Sequence, residues 1–109
     1  MPVALNERHL KTLSVFGDVN QLVGEAVQDY LIRKIDERIK SARGHLTEYE
    51  TKYGASYSAF SERMVLDEAY YIQINKMNPL WEQDSLEWEY WQEEAQEWTE
   101  KRNAILSKS

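Results

Sequence analysis

Residues 31–53, LIRKIDERIKSARGHLTEYETKY, decide the fold of this chain. Apolar side chains recur here at steps of three or four residues, at Leu31, Ile35, Ile39, Ala42, Leu46, Tyr49 and Tyr53. This spacing predicts a long helix whose apolar seam packs in a coiled coil or a helical hairpin. Gly44 weakens such a helix by roughly 1 kcal/mol relative to alanine but need not end it. Gly54 is predicted to end it.

The sequence before this seam predicts a short strand and a short helix. Pro2–Leu5 is apolar and suits a single strand, and a helix is expected from Glu7 to about Phe16. Gly17 fits the left-handed conformation that ends a helix. Asp18 is then a suitable N-cap for the long helix, which begins at Val19.

The sequence after Gly54 predicts further helices and no repeat. One helix holds Phe60, Met64 and Tyr71 and ends at Asn78-Pro79. A final helix begins near Asp84 and reaches about Leu106. Its apolar seam consists of Trp88, Trp91, Ala95, Trp98 and Ile105. The predicted fold is therefore mainly α with one short N-terminal strand, in three regions: 1–35, the continuation of the long helix over 36–54, and an acidic aromatic region over 55–109.

Charge is distributed very unevenly along the chain. The net charge is zero over residues 1–63, −9 over residues 64–100 and +3 over the last nine residues. So acidic a block repels nucleic acid and attracts a basic protein surface.

The final helix is therefore the predicted partner-binding element. We expect Trp88, Trp91 and Trp98 to pack against the chain's own long helix, and Trp81, placed before the final helix, and Tyr90 to be exposed anchors. The candidate partner-binding residues are Trp81, Glu87, Tyr90, Glu93, Glu94 and Glu97.

The side chains that enzymes use are scarce. There is no cysteine, and His9 and His45 lie on separate elements without metal-binding spacing. Glu89, Glu93 and Glu97 recur every four residues, which is more typical of a solvated face than of a cation site. No glycine-rich phosphate loop is present. We therefore expect no enzymatic activity, no metal and no cofactor.

The pattern of apolar residues also bears on location. No apolar run approaches the roughly 20 residues that span a bilayer. The N-terminus lacks the basic and apolar regions of a signal peptide. The expected location is therefore the cytoplasm, away from membranes.

The stretch Val3 to Ile35 resembles the ribbon-helix-helix DNA-binding family, of the Arc, MetJ and CopG type. The similar features are a short apolar strand, a short helix, a tight turn and a second helix, at Val3–Leu5, Glu7–Phe16, Gly17–Asn20 and Gln21–Leu31. The resemblance implies a homodimer whose paired strands lie in the major groove of operator DNA. It places Ala4, Asn6, Arg8 and Lys11 near the DNA and the backbone N–H groups of Val19 and Asn20 on a phosphate.

The sequence departs from the family pattern in the strand. Family ribbons carry arginine, lysine or polar side chains outward, whereas Pro2 and Ala4 offer neither charge nor side-chain donors. Because phosphate neutralisation supplies most nucleic-acid affinity, this departure predicts weak operator reading.

These features together favour the antitoxin of a type II toxin-antitoxin pair. Such a protein would form a homodimer through residues 1–35, bind a basic toxin through residues 45–109 and repress its own operon. One alternative is a helical scaffold or adaptor that self-associates through the seam Leu31–Tyr53 and binds no DNA. Another is an acidic mimic of nucleic acid.

Overall fold

The computed structural model describes residues 7–107, all of them within five helices or the short links between them. The helices are α1 (Glu7–Phe16), α2 (Val19–Tyr53), α3 (Tyr57–Leu66), α4 (Glu68–Met77) and α5 (Trp81–Ser107). The prediction of a mainly helical fold is confirmed, and the predicted strand Pro2–Leu5 lies outside the described residues. The chain divides into two units, with the boundary between Lys34 and Ile35.

The first unit contains α1 and the beginning of α2. The predicted bounds of α1 are confirmed, and Gly17 ends the helix with a φ of 146°. Asp18 caps α2, because its Oδ1 accepts a hydrogen bond from the N–H of Gln21 at 2.9 Å. None of the residues 7–34 is buried, and Val15 and Phe16 are 81% and 75% exposed.

In the second unit, a helical stretch is interrupted at a residue that the sequence pattern did not identify. The prediction of one helix through Phe60, Met64 and Tyr71 is wrong, because Asp67 separates α3 from α4. Its backbone is extended, at φ −118° and ψ 97°, and its Oδ1 accepts from the N–H of Tyr70 at 3.1 Å. An aspartate N-cap therefore starts a new helix within an otherwise continuous helical pattern.

The ends of the other helices follow their capping residues. Ser56 caps α3 by accepting from the N–H of Ala59, and Asn78 ends α4 as predicted. The final helix begins at Trp81, three residues before the predicted start at Asp84.

Helix α5 runs antiparallel to the second part of α2. Arg102 Nε donates to Asp36 Oδ1 at 2.7 Å, the rings of His45 and Trp91 stack 3.9 Å apart, and Lys52 Nζ lies 2.6 Å from Asp84 Oδ2. The predicted hairpin-like use of the seam is therefore confirmed over Ile35 to Tyr53. The fully enclosed core lies at one end of this pair, where Trp88, Phe60, Tyr70 and Ile74 are buried together.

Substitution of two glycines of this unit by alanine is expected to have opposite effects on stability. Gly54, at φ +67°, takes the left-handed conformation that ends α2, whereas Gly44 lies inside the helix; an added Cβ would meet no atom within 4 Å at either position. We expect Gly44→Ala to raise the free energy of unfolding by about 0.5–1 kcal/mol. Gly54→Ala should lower it by about 1–2 kcal/mol. Urea denaturation of both variants would check this, and a shift of the same sign in both would contradict it.

Candidate protein-binding surface

The aromatic side of α5 is occupied by the chain's own core. Trp88 is fully buried, and its ring lies 5.8 Å from that of Tyr49 and 5.6 Å from that of Tyr53. Tyr57 and Phe60 of α3 contact it from another direction, at 5.4 and 5.3 Å. The expectation that the seam tryptophans pack on the long helix is thus confirmed for Trp88, as it is for Trp91 on His45.

The third seam tryptophan has different neighbours. Trp98 is half-buried, and its Nε1 donates to Glu94 Oε2 at 2.9 Å on the same helix. The ammonium of Lys101 lies 4.4 Å from the centre of the Trp98 ring. Glu94 is therefore half-buried and already paired, so that it contributes less to a free acidic surface than its sequence position suggests.

Trp81 is not the exposed anchor that its predicted place before the final helix suggested. It is the first residue of α5 and is half-buried, with its Nε1 donating to Asn75 Oδ1 at 2.8 Å. Its ring meets Phe60 at 6.3 Å and Tyr71 at 5.9 Å, both edge-on. Trp81 therefore joins α5 to α3 and α4 rather than offering a free side chain to a partner.

A polar network surrounds Asp84 where α2, α4 and α5 meet. Asp84 Oδ2 accepts from Lys52 Nζ and Tyr53 Oη, each at 2.6 Å, and from Asn78 Nδ2 at 3.1 Å. Burial alone raises the pKa of Asp84, but the hydrogen bonds from Lys52, Tyr53 and Asn78 outweigh it and hold this pKa below its ordinary value. Asp84 is therefore a structural carboxylate.

One predicted partner-binding glutamate belongs to the same end of the helix pair. Tyr49 Oη donates to Glu87 Oε2. Burial, followed by this hydrogen bond and the charge of Glu87, raises the pKa of Tyr49 far above its ordinary value. Glu87 is exposed but engaged, so that a partner would compete with Tyr49 for it.

The opposite side of α5 is exposed and strongly acidic. We name it the acidic face; its residues are Glu82, Leu86, Glu89, Tyr90, Glu93, Glu97 and Glu100, all of them exposed. Leu86 is 68% and Tyr90 53% exposed, and residues four apart are neighbours on a helix. The structure therefore places two apolar side chains side by side among five carboxylates.

The structure thus brings together only some of the predicted partner-binding residues. Tyr90, Glu93 and Glu97 lie together on the acidic face, whereas Trp81, Glu87 and Glu94 are committed to contacts within the chain. Leu86 was missed by the sequence reasoning. The signal was available, because Leu86 lies off the Trp88–Trp91 seam and four residues before Tyr90.

The residues expected to contact DNA belong to the first unit. Arg8, Lys11 and Asn20 are exposed and Val19 is half-buried, while Ala4 and Asn6 lie outside the described residues. The Asp18 carboxylate accepts from the N–H of Gln21 at the start of α2. It puts a negative charge at the helix end where the resemblance implies a phosphate, which disfavours an anion there.

The described part of the chain holds neither a grouped set of metal ligands nor a membrane-spanning helix. Among residues 7–107, no three histidine, aspartate or glutamate side chains are grouped closely enough to hold a metal ion. Every helix in that range is too short or too polar to cross a membrane. The chain matches no known protein family, no curated protein and no solved structure.

Proposed function

We propose that this protein binds a basic protein partner through the acidic face of α5 and neutralises it, as the antitoxin of a toxin-antitoxin pair. The observation that carries the proposal is the exposed pair Leu86 and Tyr90 among five glutamates. Apolar side chains displace water at the centre of an interface, and surrounding carboxylates attract and orient a basic surface. We propose no enzymatic activity for this protein.

The assignment to antitoxins rests on the resemblance of residues 3–35 to ribbon-helix-helix proteins. That resemblance also supports a homodimer through residues 1–35 and repression of the protein's own operon. The exposed apolar side chains of α1, Val15 and Phe16, are compatible with a second surface that becomes covered on association.

The scaffold alternative has less support. It requires self-association through the seam Leu31–Tyr53, but Ile35 and Ala42 are buried and Tyr53 packs against Trp88 of the same chain. A second copy would have to displace α5 to reach these residues.

Charge reversal on the acidic face tests the proposal. The probe is the protein encoded by the adjacent reading frame, co-expressed with this chain and then titrated in a calorimeter. We expect Glu93→Lys with Glu97→Lys to weaken binding at least about tenfold, because two attractive pairs become repulsive. Raising the salt concentration should weaken wild-type binding as well.

The matched control is Glu62→Lys with Glu68→Lys, which makes the same change of charge at exposed positions of α3 and α4. This control should bind within about twofold of wild type, since distant surface charges are screened. A neighbouring protein that is harmless when expressed alone and does not co-purify would refute the antitoxin assignment. Equal loss in both double variants would refute the assignment of binding to α5.

A further inference from the structure

An open groove lies along one side of the α2–α5 pair. Its volume is about 630 Å³, and it is lined from α2 by Leu46, Thr47 and Glu50 and from α5 by Ala95, Gln96 and Glu100, among others. Leu46 and Ala95 are half-buried, whereas the four polar side chains are exposed. The groove therefore has a small apolar floor between two polar rims.

Of the described α5 residues that line the groove, Ala95 and Thr99 have small side chains. Near Trp88 the space beside α5 is filled by the rings of Tyr57 and Phe60 from α3. One to three turns farther along α5, Gln92, Ala95 and Thr99 line the groove. Two paired helices with such a furrow present the ridges and grooves against which a third helix packs.

The charge of the rims indicates which helix would fit. Glu50 and Glu100 stand on opposite rims, and among the described residues that line the groove Arg43 is the one cation. Glu93 and Glu100 lie within one turn of Gln96, so that the acidic face adjoins the groove along α5. An incoming segment therefore meets carboxylates on both sides of an apolar floor.

We infer that this groove seats a basic amphipathic helix of the partner protein. This inference rests on the proposed function and names the element of the partner that is bound. Small apolar side chains of that helix pack on Leu46 and Ala95, and its lysines or arginines flank them beside Glu50, Glu93 and Glu100. A helix satisfies its own backbone hydrogen bonds, so that the groove needs to supply only packing and charge.

A synthetic peptide tests the groove without the partner. The probe is a fluorescein-labelled helix of about 18 leucine, alanine and lysine residues, with apolar positions at helical spacing. The comparison peptide has the same composition in scrambled order, hence the same charge without an apolar face. We expect the amphipathic peptide to bind the full chain at least about tenfold more tightly than the scrambled peptide. Equal binding would overturn the inference, because charge alone would then account for it.

Matched substitutions locate the binding. Gln96→Trp fills the groove from an exposed position, whereas Gln83→Trp adds the same bulk at an exposed position of α5 that does not line it. The first should weaken the amphipathic peptide at least about tenfold and the second less than about twofold. Thr47→Trp repeats the test from the α2 rim and should match Gln96→Trp. Circular dichroism would verify that all three variants fold, and full binding by both groove variants would overturn the inference.

The same variants separate this inference from the proposed function. The adjacent-frame protein could bind Gln96→Trp as tightly as wild type but no longer bind Glu93→Lys with Glu97→Lys. That result would support the proposed function and show that this protein does not bind in the groove. If that protein does not bind at all, the proposed function fails while the peptide result still decides the groove. Sedimentation equilibrium addresses a second copy as occupant: a dimer that Gln96→Trp dissociates would overturn the inference.

Discussion

Replacing Trp88 with alanine is expected to lower the free energy of unfolding by about 3–5 kcal/mol. Trp88 is the largest fully buried side chain, and its ring contacts those of Tyr49, Tyr53, Tyr57 and Phe60. Truncation leaves a cavity where α2, α3 and α5 meet. Because domains of this size are stable by only about 5–15 kcal/mol, the loss is a large fraction of the total. Urea denaturation followed by circular dichroism measures it.

The substitution Trp88→Phe should cost much less than Trp88→Ala. Phenylalanine keeps an aromatic ring in the cluster and removes the Nε1–H, which is buried and has no hydrogen-bond partner among residues 7–107. An unpaired buried donor costs about 1–3 kcal/mol, so that its removal offsets part of the lost packing. Tyr90→Ala is the control, since Tyr90 is 53% exposed and a surface change usually stays within about 0.5 kcal/mol. Equal losses for Trp88→Ala and Tyr90→Ala would show that the cluster does not hold the helices together.

Replacing Asp84 with alanine is expected to lower the free energy of unfolding by about 1–3 kcal/mol at neutral pH. Lys52, Tyr53 and Asn78 all donate to one Asp84 oxygen, and its side chain is only 20% exposed. Removal of the carboxylate leaves these donors without their shared acceptor. Denaturation at pH 7 of Asp84→Ala and of Asp29→Ala, an exposed aspartate of the first unit, measures the difference.

The effect of Asp84 should also depend on pH. Its pKa is lower in the folded chain than its ordinary value of about 4. A lowered folded pKa means that the stabilisation is complete above the unfolded pKa and disappears as the pH falls through the folded pKa. The difference between wild type and Asp84→Ala should therefore be constant from about pH 7 to pH 5 and shrink below about pH 4. A difference that grows on acidification would contradict this assignment.

The sequence pattern predicts α1 and both ends of α2 correctly because local interactions determine them. Gly17 and Gly54 take the positive φ values that end each helix, and the Asp18 cap starts α2 within three residues of chain. The seam over Ile35 to Tyr53 is equally local, since the positions of apolar residues on a helix repeat every 3.6 residues. The acidic character of α5 is likewise predicted from its sequence, because it depends only on the residues of that helix.

Only the tertiary structure decided which aromatic and acidic side chains remain available to a partner. Trp81 and Tyr90 looked alike in sequence, but Trp81 packs on Phe60 and donates to Asn75, whereas Tyr90 stays exposed beside Leu86. Glu87 accepts a hydrogen bond from Tyr49, and Asp84 accepts one from Lys52. Both donors lie more than 30 positions earlier in the chain. The break at Asp67 is the exception, since its cap is a local contact that a continuous helical pattern conceals. The long-range contacts of Asp84 and Glu87 depend on how α5 packs antiparallel to α2. The spacing of residues within a single helix does not determine that packing.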